Sequence, residues 1–280
     1  MRLISAPTPM AASVPIGVFD SGIGGLSVLQ HIHAALPRES LLYFSDARHA
    51  PYGGRPEQFI EARALAVGAF MTRHCVKALV VACNTATAVA ITALRRAYPS
   101  LIVVGVEPGL KPAAALTHTK IVGVLATEAT LASKRFAHLH ETISAATSAT
   151  FLTQACPGLA DRIEQGQLDS PDTLALLMRY VVPLLEQGAD TLVLGCTHYP
   201  FVKTQIATIV RDHAEQAVTL VDTGAAVARR LSQLLADREL LCDHGNGEVG
   251  GATSGETALL EAAFLRLLGM QVRVIRDDTQ

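Results

Sequence analysis

Short β-branched runs alternate with longer amphipathic stretches along almost the whole chain, and this alternation restricts the fold more than any other feature. PIGVFD (15–20), LLYFSD (41–46), ALVVAC (78–83), LIVVGVEP (101–108), IVGVLAT (121–127), ATFLTQAC (149–156), DTLVLGC (190–196) and AVTLVD (217–222) have strand character. Between them, 57–74, 86–97, 173–187 and 201–213 carry apolar residues at helical spacing. Strands that are apolar nearly throughout are buried on both faces, and strands alternating with helices form parallel sheets covered by those helices. The expected class is therefore α/β. Eight strands fit one sheet or two sheets of four. The polar link EPGLKPAAALTHTK (107–120), and DTGAAV (222–227) after the eighth strand, favour two similar parallel-sheet α/β domains facing each other across a central cleft. The first would comprise 15–108 and 223–280, completed by C-terminal helices, and the second 109–222. Residues 1–14 read as a flexible extension.

Composition narrows the classes of partner. Half of the 280 residues are hydrophobic and 17% are charged, a compact globular balance far from that of disordered chains. The formal net charge is −2, and the basic residues are scattered, with no run longer than Arg95-Arg96 and Arg229-Arg230. Binding phosphates needs a basic field, so no nucleic-acid partner is expected. Five cysteines without regular spacing point to reduced thiols rather than a disulfide scaffold. Pro7, Pro9 and Pro15 interrupt the apolar core that a signal peptide needs. The uncharged window from Ala78 to Leu94 is short for a membrane span and carries Asn84, Thr85, Thr87 and Thr92. A cytoplasmic protein without a membrane partner is expected.

In open α/β sheets, ligands bind beyond the carboxyl ends of the strands. Those ends carry Asp20-Ser21, Asp46, Cys83-Asn84-Thr85, Glu107, Thr127, Cys156, Cys196-Thr197-His198 and Asp222. Cys83 in LVVACNTATA (79–88) and Cys196 in LVLGCTHYP (192–200) repeat one arrangement in the two halves. A lone cysteine usually packs as a small hydrophobe. Here each stands at an expected helix start, where the backbone N–H groups favour a thiolate, the form a cysteine base or nucleophile requires. Cys75 and Cys242 lack that setting. His198, two residues after Cys196, is placed to handle a proton.

Several cofactor signatures are missing. In DSGIGG (20–25) the third glycine of a dinucleotide fingerprint would fall on Ser27, and no phosphate-binding lysine loop exists. Gly22, Gly24 and Gly25 suit a tight strand-to-helix turn, and its N–H groups could face a small carboxylate. The pairs His31/His33 and His138/His140 split between helix faces, and neither C-x-x-C nor H-E-x-x-H occurs, so no metal is expected. None of Lys77, Lys111, Lys120, Lys134 and Lys203 stands by a glycine-rich turn at a strand end, which argues against pyridoxal phosphate.

Taken in order, GVFDSGIGGLSVL (17–29), DARHAPYGGR (46–55), VVACNTATA (80–88), GVLATEATLAS (123–133) and LVLGCTHYP (192–200) resemble the cofactor-independent aspartate/glutamate racemase family, and within it the glutamate racemases. The likeness runs from about Ile16 through DTGAAVARR (222–230). It implies two α/β domains around a cleft and interconversion of L- and D-glutamate without a cofactor, one cysteine on each side of Cα. By match, Cys83 takes the proton from D-glutamate and Cys196 from L-glutamate, with Asp20 the partner of Cys83 and His198 that of Cys196. Glu164, in ACPGLADRIEQG (155–166), matches an acidic residue of the family, although GLADRI is more polar than the family's usual run. Ser21, Pro51, Tyr52, Gly53, Asn84, Thr85 and Thr197 would hold the substrate, together with Asp20 and His198. The resemblance further implies D-glutamate supply for peptidoglycan, and it suggests a homodimer.

Three alternatives stay open from the residues: a sister racemase or isomerase acting on aspartate, hydantoins or maleate-like acids, a Cys-His amidase, and a two-lobed ligand-binding module. ACNTATA, APYGGR and GCTHYP favour glutamate. An amidase would leave Cys83 redundant, and a binding module would need neither thiol.

Overall fold

The computed structural model describes residues 14–277, so all but the last residue of the extension expected over 1–14 lies outside the described residues. β1 (Ile16–Asp20) passes through a glycine turn into α1 (Leu26–Ala35). β2 (Leu41–Ser45), α2 (Glu57–Arg73), β3 (Ala78–Val81), α3 (Asn84–Ala97), β4 (Ile102–Gly105) and α4 (Leu110–Leu116) follow. Next come β5 (Ile121–Ala126), α5 (Glu128–Ala132), α6 (Lys134–Ala146), β6 (Thr150–Ala155), α7 (Leu159–Glu164), α8 (Pro171–Glu186), β7 (Thr191–Leu194), α9 (Lys203–His213) and β8 (Thr219–Val221). The chain ends with α10 (Gly224–Asp237), β9 (Val249–Thr253), α11 (Thr257–Leu268) and β10 (Val274–Arg276).

The strands form two sheets, parallel throughout, in the orders β10-β9-β2-β1-β3-β4 and β6-β5-β7-β8. Ile16 stands opposite Leu41 and Ala78 in the first, and Val122 opposite Phe151 and Thr191 in the second. Period-two alternation sends Ile16 and Val18 to one face of β1, against Leu26, Leu29 and Ile32 of α1, Leu231 of α10 and Phe264 of α11. Phe19 goes to the other face, with Ile60 and Val67 of α2 and Ala90 and Leu94 of α3. In the second sheet Leu125, Leu192 and Leu194 pack with α8 and α9, while Val122, Val124 and Val193 pack with α4 and α6. Fully burying side chains of this size stabilises by about 1.5–3 kcal/mol each, which accounts for the near-continuous apolar strands.

The eight expected strands form, and the C-terminal stretch adds two more. It therefore supplies β9 and β10 to the first sheet, in addition to the helices expected there. VGGAT lacks a β-branched run, and at Gly251 its neighbour leaves no room for a side chain. A Cβ at Gly251 would come within 2.8 Å of Val274 Cγ2. Helix α3 begins at Asn84, ahead of the apolar periodicity, because Cys83 caps it. Among the described residues no helix is long and apolar enough to cross a membrane.

Candidate active site

The strand ends of β1 and β3 in the six-stranded sheet and of β7 in the four-stranded sheet open onto one cavity of ≈ 260 Å³. Asp20, Ser21, Pro51, Tyr52, Gly53, Cys83, Asn84, Thr85, Cys196, Thr197 and His198 all line it. Of the residues expected at the site, Glu164 alone does not. It sits behind His198, in an adjoining cavity of ≈ 790 Å³.

On the Cys83 side every group is buried. The Cys83 sulfur accepts the Ala86 N–H at the start of α3 (3.5 Å) and lies 3.7 Å from Ser21 Oγ. Asp20 accepts hydrogen bonds from the Ser21 N–H (2.6 Å), Ser21 Oγ (3.2 Å) and Thr197 Oγ1 (3.1 Å). The last bond joins the two sheets across the cavity. Burial pushes the Asp20 carboxyl above its ordinary range, against the pull of His198. Burial first, and then the nearby Asp20, push the Cys83 thiol well above the ordinary cysteine value. This corrects the expectation of a lowered thiol there. The Ala86 N–H does act in the expected direction, but desolvation of a fully buried sulfur is the larger effect.

The Cys196 side is biased the other way. Cys196 Sγ lies 3.6 Å from His198 Nδ1, and His198 Nε2 lies 2.7 Å from Glu164 Oε2. Burial works against a charged His198, but contacts with Cys196 and Glu164 outweigh it and hold the imidazole well above its ordinary value. Burial likewise works against the Glu164 carboxylate, and the His198 contact, the Ile23 N–H and Arg266 overcome it, so Glu164 is held below its usual range. An ionised carboxylate only accepts, so Nε2 carries the shared proton and donates it. Charge is thus disfavoured on Cys83 and Asp20, and favoured on the His198 ring between Cys196 and the Glu164 carboxylate.

The glycine turn after β1 is built around that imidazolium. A Cβ at Gly22 would collide with the Glu164 carboxylate, and one at Gly24 with the His198 ring. The Ile23 N–H donates to both Glu164 oxygens (3.2 and 3.0 Å). The carboxylate facing this amide is therefore the protein's own.

Asn84 is buried, and its Nδ2 has no protein hydrogen-bond partner. Thr85 Oγ1 lies 3.2 Å from Thr127 Oγ1. Thr127, at the end of β5 and capping α5, lines the cavity without having been assigned to the site from sequence. Its place at a strand end was the signal available. Glu128, Cys156 and Asp161 also line the cavity. Burial pushes the Cys156 thiol up to about 12. Two other strand-end acids are engaged elsewhere: Glu107 pairs with Arg135, and Asp222 with Lys203 at 3.3 Å. No lysine or arginine is among the residues lining the cavity, so an anion there would be met by N–H and O–H donors and by His198.

Comparison with known proteins follows the same lines. Residues 16–231 match the family described as Asp/Glu/hydantoin racemase. The chain is 48% identical over 263 residues to the glutamate racemase of Ectopseudomonas mendocina, an alignment covering 94% of this chain and 98% of that one. Among solved structures it resembles a glutamate racemase isoform of Bacillus anthracis, with TM-score 0.83, 33% identity, and 95% and 98% of the two chains covered. It also resembles the glutamate racemase of Francisella tularensis in complex with D-glutamate, with TM-score 0.82, 27% identity and the same coverages.

Proposed function

The chain belongs to the Asp/Glu/hydantoin racemase family of isomerases, and from that premise we propose that it interconverts L- and D-glutamate by a two-thiol mechanism. The observation that carries this reading is the meeting of Cys83 and Cys196. They end strands of separate sheets yet line one cavity, with the neutral form favoured at Cys83 and a cation favoured at His198 beside Cys196. Inversion at Cα needs an acid and a base at once, on opposite faces: for L-glutamate the neutral Cys83 thiol serves as the acid, and the cation at His198 stabilises the Cys196 thiolate that serves as the base. With D-glutamate, Cys83 takes the Cα proton while Cys196 delivers one to the other face. With L-glutamate the roles reverse. Asp20 exchanges protons with Cys83, and His198, oriented by Glu164, exchanges them with Cys196.

Removing the Cα proton places negative charge on the substrate's α-carboxylate. Donors aimed at that charge in a dry site contribute about 2.7–4 kcal/mol each to lowering the barrier. Asn84 Nδ2, a neutral donor with no protein partner, is suited to this, with Thr85 beside it; the Thr197 and Thr127 hydroxyls line the cavity with their protons given to Asp20 and Thr130. Ser21, Asp20 and the segment Pro51-Tyr52-Gly53 hold the ammonium and the remaining carboxylate. No step calls for a cofactor. We assign glutamate as substrate on the strength of curated relatives 48% and 51% identical in sequence. The biological role assigned is D-glutamate supply for peptidoglycan, in the cytoplasm, by a chain that forms a homodimer.

Proton NMR of L-glutamate with the protein in D2O, with chiral analysis of the product, tests the reading. Deuterium at Cα and appearance of D-glutamate, both lost in Cys83→Ser and in Cys196→Ser, are expected without added cofactor. Exchange of aspartate alone would transfer the protein to another branch of the family, and exchange of neither amino acid would sink the racemase reading.

A further inference from the structure

Asp46 ends β2, lies outside the cavity and is fully buried, yet its carboxylate gathers more side-chain hydrogen bonds than any group in the proposed machinery. Arg63 of α2 grips it with both prongs, Nε to Oδ2 and Nη2 to Oδ1, each at 2.9 Å. Ser254, just after β9, donates to Oδ1 at 2.7 Å, and His49 Nδ1 lies 2.9 Å from the same oxygen. The Tyr52 hydroxyl donates to Oδ2 at 2.5 Å.

Tyr52 is the unusual member. It is 1% exposed, lines the active cavity, and meets Phe19 edge-on with ring centroids 6.4 Å apart. It also belongs to the irregular segment 50–55, which has no strand partner, so side-chain anchors must set where that backbone lies. Neighbouring Pro51 and Gly53 form one wall of the cavity, and a Cβ at Gly53 would meet Thr127 of the opposite sheet at 3.6 Å. A displacement of the loop would therefore be felt on both sides of the cavity. A planar guanidinium paired bidentately with a carboxylate gives a rigid, directed anchor.

We propose that Asp46 and Arg63 are positioning residues for the racemisation, clamping the Tyr52 hydroxyl and through it seating the 50–54 loop against the substrate. The kinetic part rests on the racemase reading above. The loop meets substrate and transition state alike, so loosening it weakens binding more than it slows the chemical step.

The test combines kinetics with amide hydrogen exchange on full-length Tyr52→Phe, Arg63→Gln and Arg63→Lys. In Tyr52→Phe and Arg63→Gln the KM for glutamate should rise about tenfold while kcat stays within about threefold, the signature of lost uniform binding. Arg63→Lys keeps the charge without the fork and should recover part of the loss. Exchange should quicken in peptides covering 47–56 and stay as in the parent in β1 and β3. An unchanged KM with unchanged loop exchange overturns the proposal. So does faster exchange spread through the six-stranded sheet with KM unaltered, which would make the cluster a structural fastener only. If the parent protein does not racemise glutamate, the functional reading fails, and the exchange data alone then decide whether Asp46 and Arg63 hold the loop.

Discussion

His198 Nε2 and Glu164 Oε2 stand 2.7 Å apart, and the same carboxylate takes the Ile23 N–H from the turn after β1. Glu164 therefore fastens the imidazolium and the six-stranded sheet's glycine turn with one group. Its folded pKa is depressed below the ordinary 4.5, so its stabilising contribution is present above that value and is lost as pH falls through the folded one. His198 is raised above 6.5, so its contribution is complete below 6.5 and is lost as pH rises through its folded value. The pair is at full strength between those two ordinary values. Glu164→Gln should cost about 1.5–3 kcal/mol there, the scale of a hydrogen bond to a charged group. Urea unfolding of both proteins from pH 3 to 9 measures the gap, which should shrink toward either end. A gap that stays constant with pH would contradict the ion pair.

Asp20 offers the opposite sign. Burial raises its pKa, so the ionised form is disfavoured in the folded protein, and stability falls as pH climbs from the ordinary carboxyl value to the folded one. Asp20→Asn removes that penalty while keeping the shape. The variant should be at least as stable as the parent at pH 8, yet turn over glutamate about 10²–10⁴-fold more slowly if the group exchanges protons with Cys83. Thermal unfolding and a polarimetric assay on the same preparation separate the two effects. Unimpaired turnover would remove Asp20 from the proton path.

Which parts of this site can be read from the chain depends on the range of the forces involved. Cys83 and Cys196 stand at strand ends beside residues suited to start a helix, and the parallel-sheet rule does the rest. β9 stayed hidden because Gly251 reflects the approach of Val274, a packing fact with no local trace. The direction of the Cys83 shift is hidden from the sequence for a related reason. The cap at Ala86 is local and visible in the sequence, whereas complete burial belongs to the tertiary structure. Asp46 was visible at a strand end, but its partner Ser254 lies 208 residues away.

The turn after β1 can be probed at Gly24. A Cβ there would strike the His198 ring and approach Thr197 Oγ1 to 2.7 Å, and both neighbours are buried. Gly24→Ala should lower stability by about 1–3 kcal/mol, the usual cost of overpacking, and should also cut turnover by displacing His198. Gly54 has open space within 4 Å of its added Cβ, so the unfolding midpoint of Gly54→Ala should match the parent's. Equal behaviour of the two variants would show that the turn has room to yield.

Cys156 shares the cavity with Cys83 and Cys196 and is equally buried, so it tests whether a thiol's neighbours, rather than its place in the cavity, fit it to handle protons. With its thiol near 12, only about one molecule in ten thousand carries a thiolate at pH 8. Cys83 is also protonated at rest, so the raised value alone does not distinguish them. Their neighbours do. Cys83 has Ser21 Oγ at 3.7 Å and the Asp20 carboxyl acting on it, and Cys196 has His198 Nδ1 at 3.6 Å, whereas Cys156 donates to the backbone carbonyl of Gln154 at 3.4 Å and otherwise meets the Tyr199 hydroxyl, which burial holds well above the ordinary phenol value and so keeps protonated. A carbonyl cannot take up a proton and return it at neutral pH. Cys156→Ala should therefore retain turnover within about threefold, while Cys83→Ala and Cys196→Ala each lose about a hundredfold or more. Because the two enantiomers are equal in energy, kcat/KM must fall by the same factor in both directions in every variant. Measuring both directions thus checks the assay as well as the residue. A loss in Cys156→Ala comparable to the other two would make the site a three-thiol one.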